Sequence, residues 1–177
     1  MFLKGIKDKF KQKSGRKFIR QTLEKPTPES TRSKGVRKIG CIVDLDKFDD
    51  ADVFYEFLEA FKLQPNAVKI IGYKSYYDKN SPYATPVFSD KDLGWNGDVE
   101  NSYALEFLNR EYDVLVNYYD DNNLLLNLMS LKTRARLKVG FIKVGPDFND
   151  LMVDTPITEF KTFKTELKKY LGVLKEV

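Results

Sequence analysis

The chain has 177 residues, 42% hydrophobic and 32% charged, which is room for one sizeable core and a short appendage. Its 13 Phe, 10 Tyr and single Trp argue against a disordered body, and one cysteine excludes an intramolecular disulfide and a thiolate metal cluster. There is no histidine, so the commonest general base, the Ser–His and Cys–His nucleophile pairs and the usual catalytic zinc ligands are all absent.

The net charge of +4 conceals two unlike parts. Residues 1–38 hold 13 Lys and Arg against Asp8, Glu24 and Glu29, whereas the remainder holds 17 basic and 23 acidic residues. Such asymmetry points to an anionic partner, because a strongly cationic segment repels itself until something neutralises it. Phe2, Leu3, Ile6, Phe10, Phe18, Ile19 and Leu23 recur at helical spacing, with lysines and arginines on the other faces. Ser14 and Gly15 interrupt the pattern, predicting two short basic helices. Residues 25–35 have linker composition, with two prolines and no apolar side chain. The boundary between a basic arm and linker (1–35) and an α/β domain (36–177) is therefore expected near residue 36. No apolar run reaches the length of a signal-peptide core or a membrane span, which predicts a cytoplasmic chain without an integral membrane segment.

The arm admits three readings: contact with RNA phosphates, an amphipathic anchor on an anionic membrane surface, or helices packed back on the acidic body.

Beyond the linker, strand and helix periods alternate. Residues 38–43 form a β-branched run around Cys41, expected to be a small buried side chain. Asp49 and Asp50 precede a helix with Val53, Phe54, Phe57, Leu58 and Phe61 on one face. Residues 67–73 are the second strand, 86–89 a candidate short strand, and 100–110 a helix. Residues 112–118 are a strong strand. Asn122 or Asn123 caps the next helix, 137–142 is the last clear strand, and a terminal helix covers 158–175. The alternation predicts a mostly parallel, Rossmann-like sheet of about five strands with helices on both faces.

Ligands of such sheets bind beyond the carboxyl ends of the strands. The turn after the first strand, Asp44-Leu45-Asp46-Lys47-Phe48, has no glycine, and its carboxylates would repel a pyrophosphate, so a dinucleotide cofactor is not expected. An alternative is a Mg-dependent enzyme or receiver-like phosphate switch, with Asp44 and Asp46 holding Mg²⁺, Asp120 as phosphoacceptor and Lys143 as its cation. A glycosyltransferase DxD at Asp44 and Asp46 is weaker, since the chain lacks room for a second lobe. Trp95, between glycines in the 89–97 connection, is expected to pin that loop to the core. The basic run at 132–138 reads as a solvated helix end, or as a continuation of the arm's phosphate-facing surface if the two lie side by side.

Residues 88–97 (Phe-Ser-Asp-Lys-Asp-Leu-Gly-Trp-Asn-Gly), 112–119 (Tyr-Asp-Val-Leu-Val-Asn-Tyr-Tyr), 138–141 (Lys-Val-Gly-Phe) and 149–152 (Asn-Asp-Leu-Met) together make the body resemble an uncharacterised bacterial family of small α/β proteins. The resemblance runs from about residue 36 to 177, implies a Rossmann-like fold and carries over no catalytic residues. A lineage-specific accessory role on the large ribosomal subunit is compatible with the arm's charge.

The sequence thus leads to an expectation of a non-catalytic RNA-binding protein, ribosomal or ribosome-associated, with rRNA as its first partner and ribosomal proteins as further candidates. The expected RNA contacts are Lys4, Lys7, Lys9, Lys11, Lys13, Arg16, Lys17, Arg20, Arg32, Lys34, Arg37, Lys38, Arg134 and Arg136. No cofactor, metal or catalytic residue is expected.

Overall fold

Every side chain of the run at 39–44 is withdrawn from water, the pattern of a parallel strand covered on both faces. The computed structural model describes residues 1–31, 33–78 and 80–177. Its regular elements are α1 (Phe2–Leu23), β1 (Ile39–Asp44), a 3₁₀ turn (Ala51–Tyr55) running into α2 (Glu56–Ala60), β2 (Val68–Tyr73), β3 (Val87–Phe88), 3₁₀ turns at Asp90–Asp92 and Trp95–Gly97, α3 (Ser102–Leu108), β4 (Glu111–Tyr118), α4 (Leu124–Lys132), β5 (Arg134–Phe141), β6 (Leu151–Val153) and α5 (Phe160–Val173). The strands form one parallel sheet in the order β3-β2-β1-β4-β5-β6.

This is the α/β architecture that the alternating periods predict, with one strand more. At three residues, β6 is too short to display a period; it is recognisable only by its pairing with β5, from Val139↔Leu151 to Phe141↔Val153. Asp50 precedes the 3₁₀ turn without a side-chain cap, while Asn123 caps α4 by accepting from the Leu125 and Leu126 N–H groups.

Strand period two sorts the core into halves. Ile39, Cys41, Val43, Val114, Val116 and Tyr118 join Phe54, Phe57, Phe160 and Phe163 on one face, and burial pushes the Cys41 thiol up. Ile42, Ile71, Leu115 and Tyr119 join Phe107, Leu125, Leu128 and Met129 on the other. Tyr118 centres the first cluster, with ring centroids 4.9 Å from Phe54 and 5.1 Å from Phe163, and its hydroxyl donates to the Ile157 carbonyl at 2.6 Å.

The arm is one continuous helix, not two. Glycine inside a helix costs about 1 kcal/mol relative to alanine, and here packing offsets that cost. Gly15 is buried, and a β-carbon there would already touch Leu124 and Leu128 of α4 at 3.5–3.7 Å. The Ser14 hydroxyl donates to the Lys11 carbonyl and accepts from the Asn96 N–H at 3.1 Å. Phe18 and Ile19 complete the contact against the second cluster. The arm therefore docks on the domain by its small and apolar side chains.

The entry to β1 is held by a buried clamp. Arg136 Nη1 and Nη2 donate to the two Glu176 carboxylate oxygens at 2.6 and 2.7 Å, and Nη2 also donates to the Gly35 carbonyl at 3.2 Å. The Gly35 N–H returns a hydrogen bond to Glu176 at 2.8 Å. Only 9% and 5% of the Arg136 and Glu176 side chains are exposed, so this arginine is committed within the protein and does not belong to an RNA-facing surface.

Removing one partner of a buried pair leaves a bare charge, so Glu176→Ala is expected to cost roughly 3–5 kcal/mol, read as a lower urea midpoint with unchanged slope. Burial also pushes the phenols of Tyr73, Tyr112, Tyr118 and Tyr119 above their ordinary value of 10. In the unfolded chain they ionise near 10, so stability is full below that pH and falls as pH rises past it. Urea midpoints followed from pH 9 upward, alongside phenolate absorbance, will show ionisation and unfolding proceeding together.

Candidate nucleic-acid interface

Along α1, Lys9, Lys13 and Lys17 follow one another at four-residue spacing, as do Arg16 and Arg20. Like charges so placed repel by a few tenths of a kcal/mol per pair. Among the described residues Lys11 alone of the α1 cations meets a carboxylate, Glu100 at 4.0 Å. Lys4, Lys7, Lys9, Lys13, Arg16, Lys17 and Arg20 are exposed and, among the described residues, make no ion pair or hydrogen bond through their side chains. Docking of α1 thus uses Gly15, Phe18 and Ile19 and leaves most of its cations to solvent.

Facing those cations is the 93–99 connection. An antiparallel bridge between Leu93 and Val99 closes it, and the Gly94 N–H donates to the Asp98 carbonyl at 2.7 Å. At its tip Asn96 and Gly97 take left-handed φ values of 54° and 78°. That reversal turns the Trp95 ring outward, 45% exposed, instead of pinning the loop to the core as expected from its flanking glycines. Phe10 of α1 is 56% exposed beside it. Between them lies a groove of about 510 Å³ lined by Phe10, Lys13, Ser14, Arg16, Lys17, Arg20, Trp95 and Asn96, with no carboxylate among them.

The groove's wall depends on Gly97. A β-carbon on this residue would fall 2.9 Å from Leu128 and 3.0 Å from the Phe18 ring. The same Phe18 ring receives the Lys132 ammonium of α4 at 4.6 Å, and Lys132 also pairs with Asp98 at 3.3 Å. The basic run at 132–138 therefore begins beside α1.

The remaining expected contacts are scattered. Lys34 donates weakly to the Leu174 carbonyl, Arg37 donates to Ser33, and Arg134 pairs with Glu111 at 3.0 Å. Lys38 and Arg134 lie at the amino-terminal edge of the sheet. Arg32 lies outside the described residues. Trp95, Phe10 and Asn96 are the groove residues that charge counting misses; the signal available was a lone tryptophan between two glycines.

At the sheet's other edge, the order reverses between β1 and β4, the place where α/β sheets take their ligands. There the Lys47 ammonium sits between Asp120 at 2.7 Å and Asp121 at 3.6 Å, with Lys143 3.9 Å from Asp120. Its hydrogen bond to Asp120 raises the Lys47 pKa. Asp44 accepts from the Asp46 N–H, Asp46 accepts from the Ser75 N–H, and burial raises the Asp44 carboxyl. Among the described residues no three Cys, Asp or Glu side chains gather to hold a metal. No helix among them is long and apolar enough to cross a membrane.

Chemically, the α1 groove offers flat apolar faces ringed by unpaired cations, which suits an unpaired base stacked on an aromatic ring with its phosphates on lysine and arginine. Gly97→Ala is expected to loosen α1 by about 1–3 kcal/mol, from left-handed strain and the Leu128 and Phe18 contacts. Hydrogen exchange will show faster exchange in the second half of α1 with the sheet's protection retained. No curated protein matches the chain. A family model covers residues 11–174, which takes in every groove residue except Phe10, and the chain accordingly belongs to a family of unknown function, DUF6913.

Proposed function

We propose that this protein binds RNA, holding an unpaired stretch in the groove between α1 and Trp95, with ribosomal RNA the RNA to test first. The observation that carries the reading is the composition of that groove: two half-exposed aromatic rings among Lys13, Arg16, Lys17 and Arg20 and no acidic lining residue. Base stacking on an aromatic face contributes about 1–3 kcal/mol, and each phosphate neutralised releases counterions. Binding needs no cofactor and no chemical step. The exposed Phe2 and Leu3 at the start of α1 favour a second reading, adsorption to an anionic membrane, which the same experiment addresses.

Trp95 is the only tryptophan, so its emission reports on the groove alone. An oligouridine of ~20 nucleotides is expected to quench it, with affinity falling steeply as salt rises. By anisotropy of labelled RNA, Trp95→Ala will weaken binding roughly 5- to 150-fold, and Lys13→Gln with Lys17→Gln will weaken it and flatten the salt dependence. Co-sedimentation of the unmodified chain with ribosomes, lost in the same variants, would extend the reading to rRNA. Binding to anionic vesicles but not to RNA would overturn it.

A further inference from the structure

At the amino-terminal edge of the sheet lies a larger cleft, of about 750 Å³, in which Arg37, Lys38, Lys62, Lys69, Arg110 and Arg134 supply six of the lining residues. Its one lining carboxylate, Glu111, is already paired with Arg134, and Arg110 is paired with Glu106 at 3.1 Å. The ammonium groups of Lys38, Lys62 and Lys69 have no partner among the described residues. Cations gather at the negative ends of helices, which accounts for Lys62 and Arg110, just beyond α2 and α3. It does not account for Lys38 and Lys69, which stand at the amino ends of β1 and β2. Lys62 moreover holds a left-handed φ of 52°, a conformation that glycine or asparagine adopts at lower cost.

The cleft and the groove share no lining residue, but the chain runs from one neighbourhood to the other. Phe18 of α1 touches Lys132, and two residues on Arg134 lines the cleft, while the linker from α1 leads into Arg37 and Lys38. We infer that the cleft is a second phosphate site for the same RNA, gripping the backbone of the strand further along from the nucleotides in the Trp95 groove. The inference rests on the RNA reading and adds residues Lys62, Lys69 and Arg110 to it. Gln64, Asn66 and Asn109 in the wall offer amide groups to sugar hydroxyls, so the cleft suits ribose-phosphate better than phosphate alone.

The test uses two oligouridines, one of ~5 nucleotides that fills the groove only and one of ~20 that reaches both sites. Lys38→Gln with Lys69→Gln is expected to bind the short oligomer like the parent and the long one about tenfold more weakly. Its salt slope for the long oligomer should fall by about 1.4, as ~0.7 is lost for each of the two single-strand phosphate contacts. A control of equal charge change on α5, Lys161→Gln with Lys168→Gln, should leave both affinities within twofold. An unchanged urea midpoint confirms that the variants are folded. Long-oligomer binding unaffected by the Lys38/Lys69 change, or weakened equally by the α5 control, overturns the cleft and leaves the groove standing. Failure of the unmodified protein to bind either oligomer removes both.

Discussion

Phe18 of α1, Leu128 of α4 and the backbone of Gly97 meet where a single methyl group would come within 3.0 Å of its neighbours. Bringing the three together sets the distance between the amino-terminal helix and the 93–99 connection, and hence the width of the space between Phe10 and Trp95. The nearby Ser14–Asn96 hydrogen bond sets the rotation of the helix about its axis. With that rotation fixed, Gly15, Phe18 and Ile19 face inward, and Lys13, Arg16, Lys17 and Arg20 have nowhere to go but outward. The helix is short of internal support: its first turn has no acidic residue and no side-chain cap. Its order comes from this docking rather than from its own charges.

The sheet separates two electrostatic environments. Its carboxyl edge carries Asp44, Asp46, Asp120 and Asp121 around Lys47, an arrangement in which the lysine already serves as counterion. Its amino edge carries the cations left unpaired. Under the RNA reading proposed above, the carboxylates would disfavour a polyanion at one end and the free lysines would favour it at the other. In most parallel α/β sheets the carboxyl edge is where ligands sit; in this one that edge is occupied by carboxylates paired with Lys47 and Lys143, and the lysines without partners among the described residues lie on α1 and at the opposite end.

Much of this was legible in residue order, for reasons that differ by element. Strands β1, β2, β4 and β5 are long enough, and buried enough, for their apolar runs to stand out, and Asn123 announces α4 by its capping chemistry. Four short motifs sufficed to indicate membership of a family without assigned function, and that membership is shown. What local sequence does not carry is contact between distant positions. The single helix across Ser14 and Gly15 depends on residues 82 or more positions away. Arg136 looks like a surface cation until Glu176, 40 residues on, folds against it. The outward turn of Trp95 follows from two successive left-handed residues, which glycine at 97 permits but asparagine at 96 only tolerates. Charge counting located the basic segment correctly and could not say which of its members remain free.

The clamp around Glu176 has a bearing on how the molecule is made. Its carboxylate accepts from the Gly35 N–H across 141 residues, and α1 likewise waits for α4 before its Gly15, Phe18 and Ile19 are covered. During synthesis the amino-terminal segment emerges long before either companion exists, with Phe18 and Ile19 bare and its lysines already displayed. For that interval it is a cationic peptide with uncovered apolar side chains, the kind of exposed surface through which incompletely folded chains aggregate.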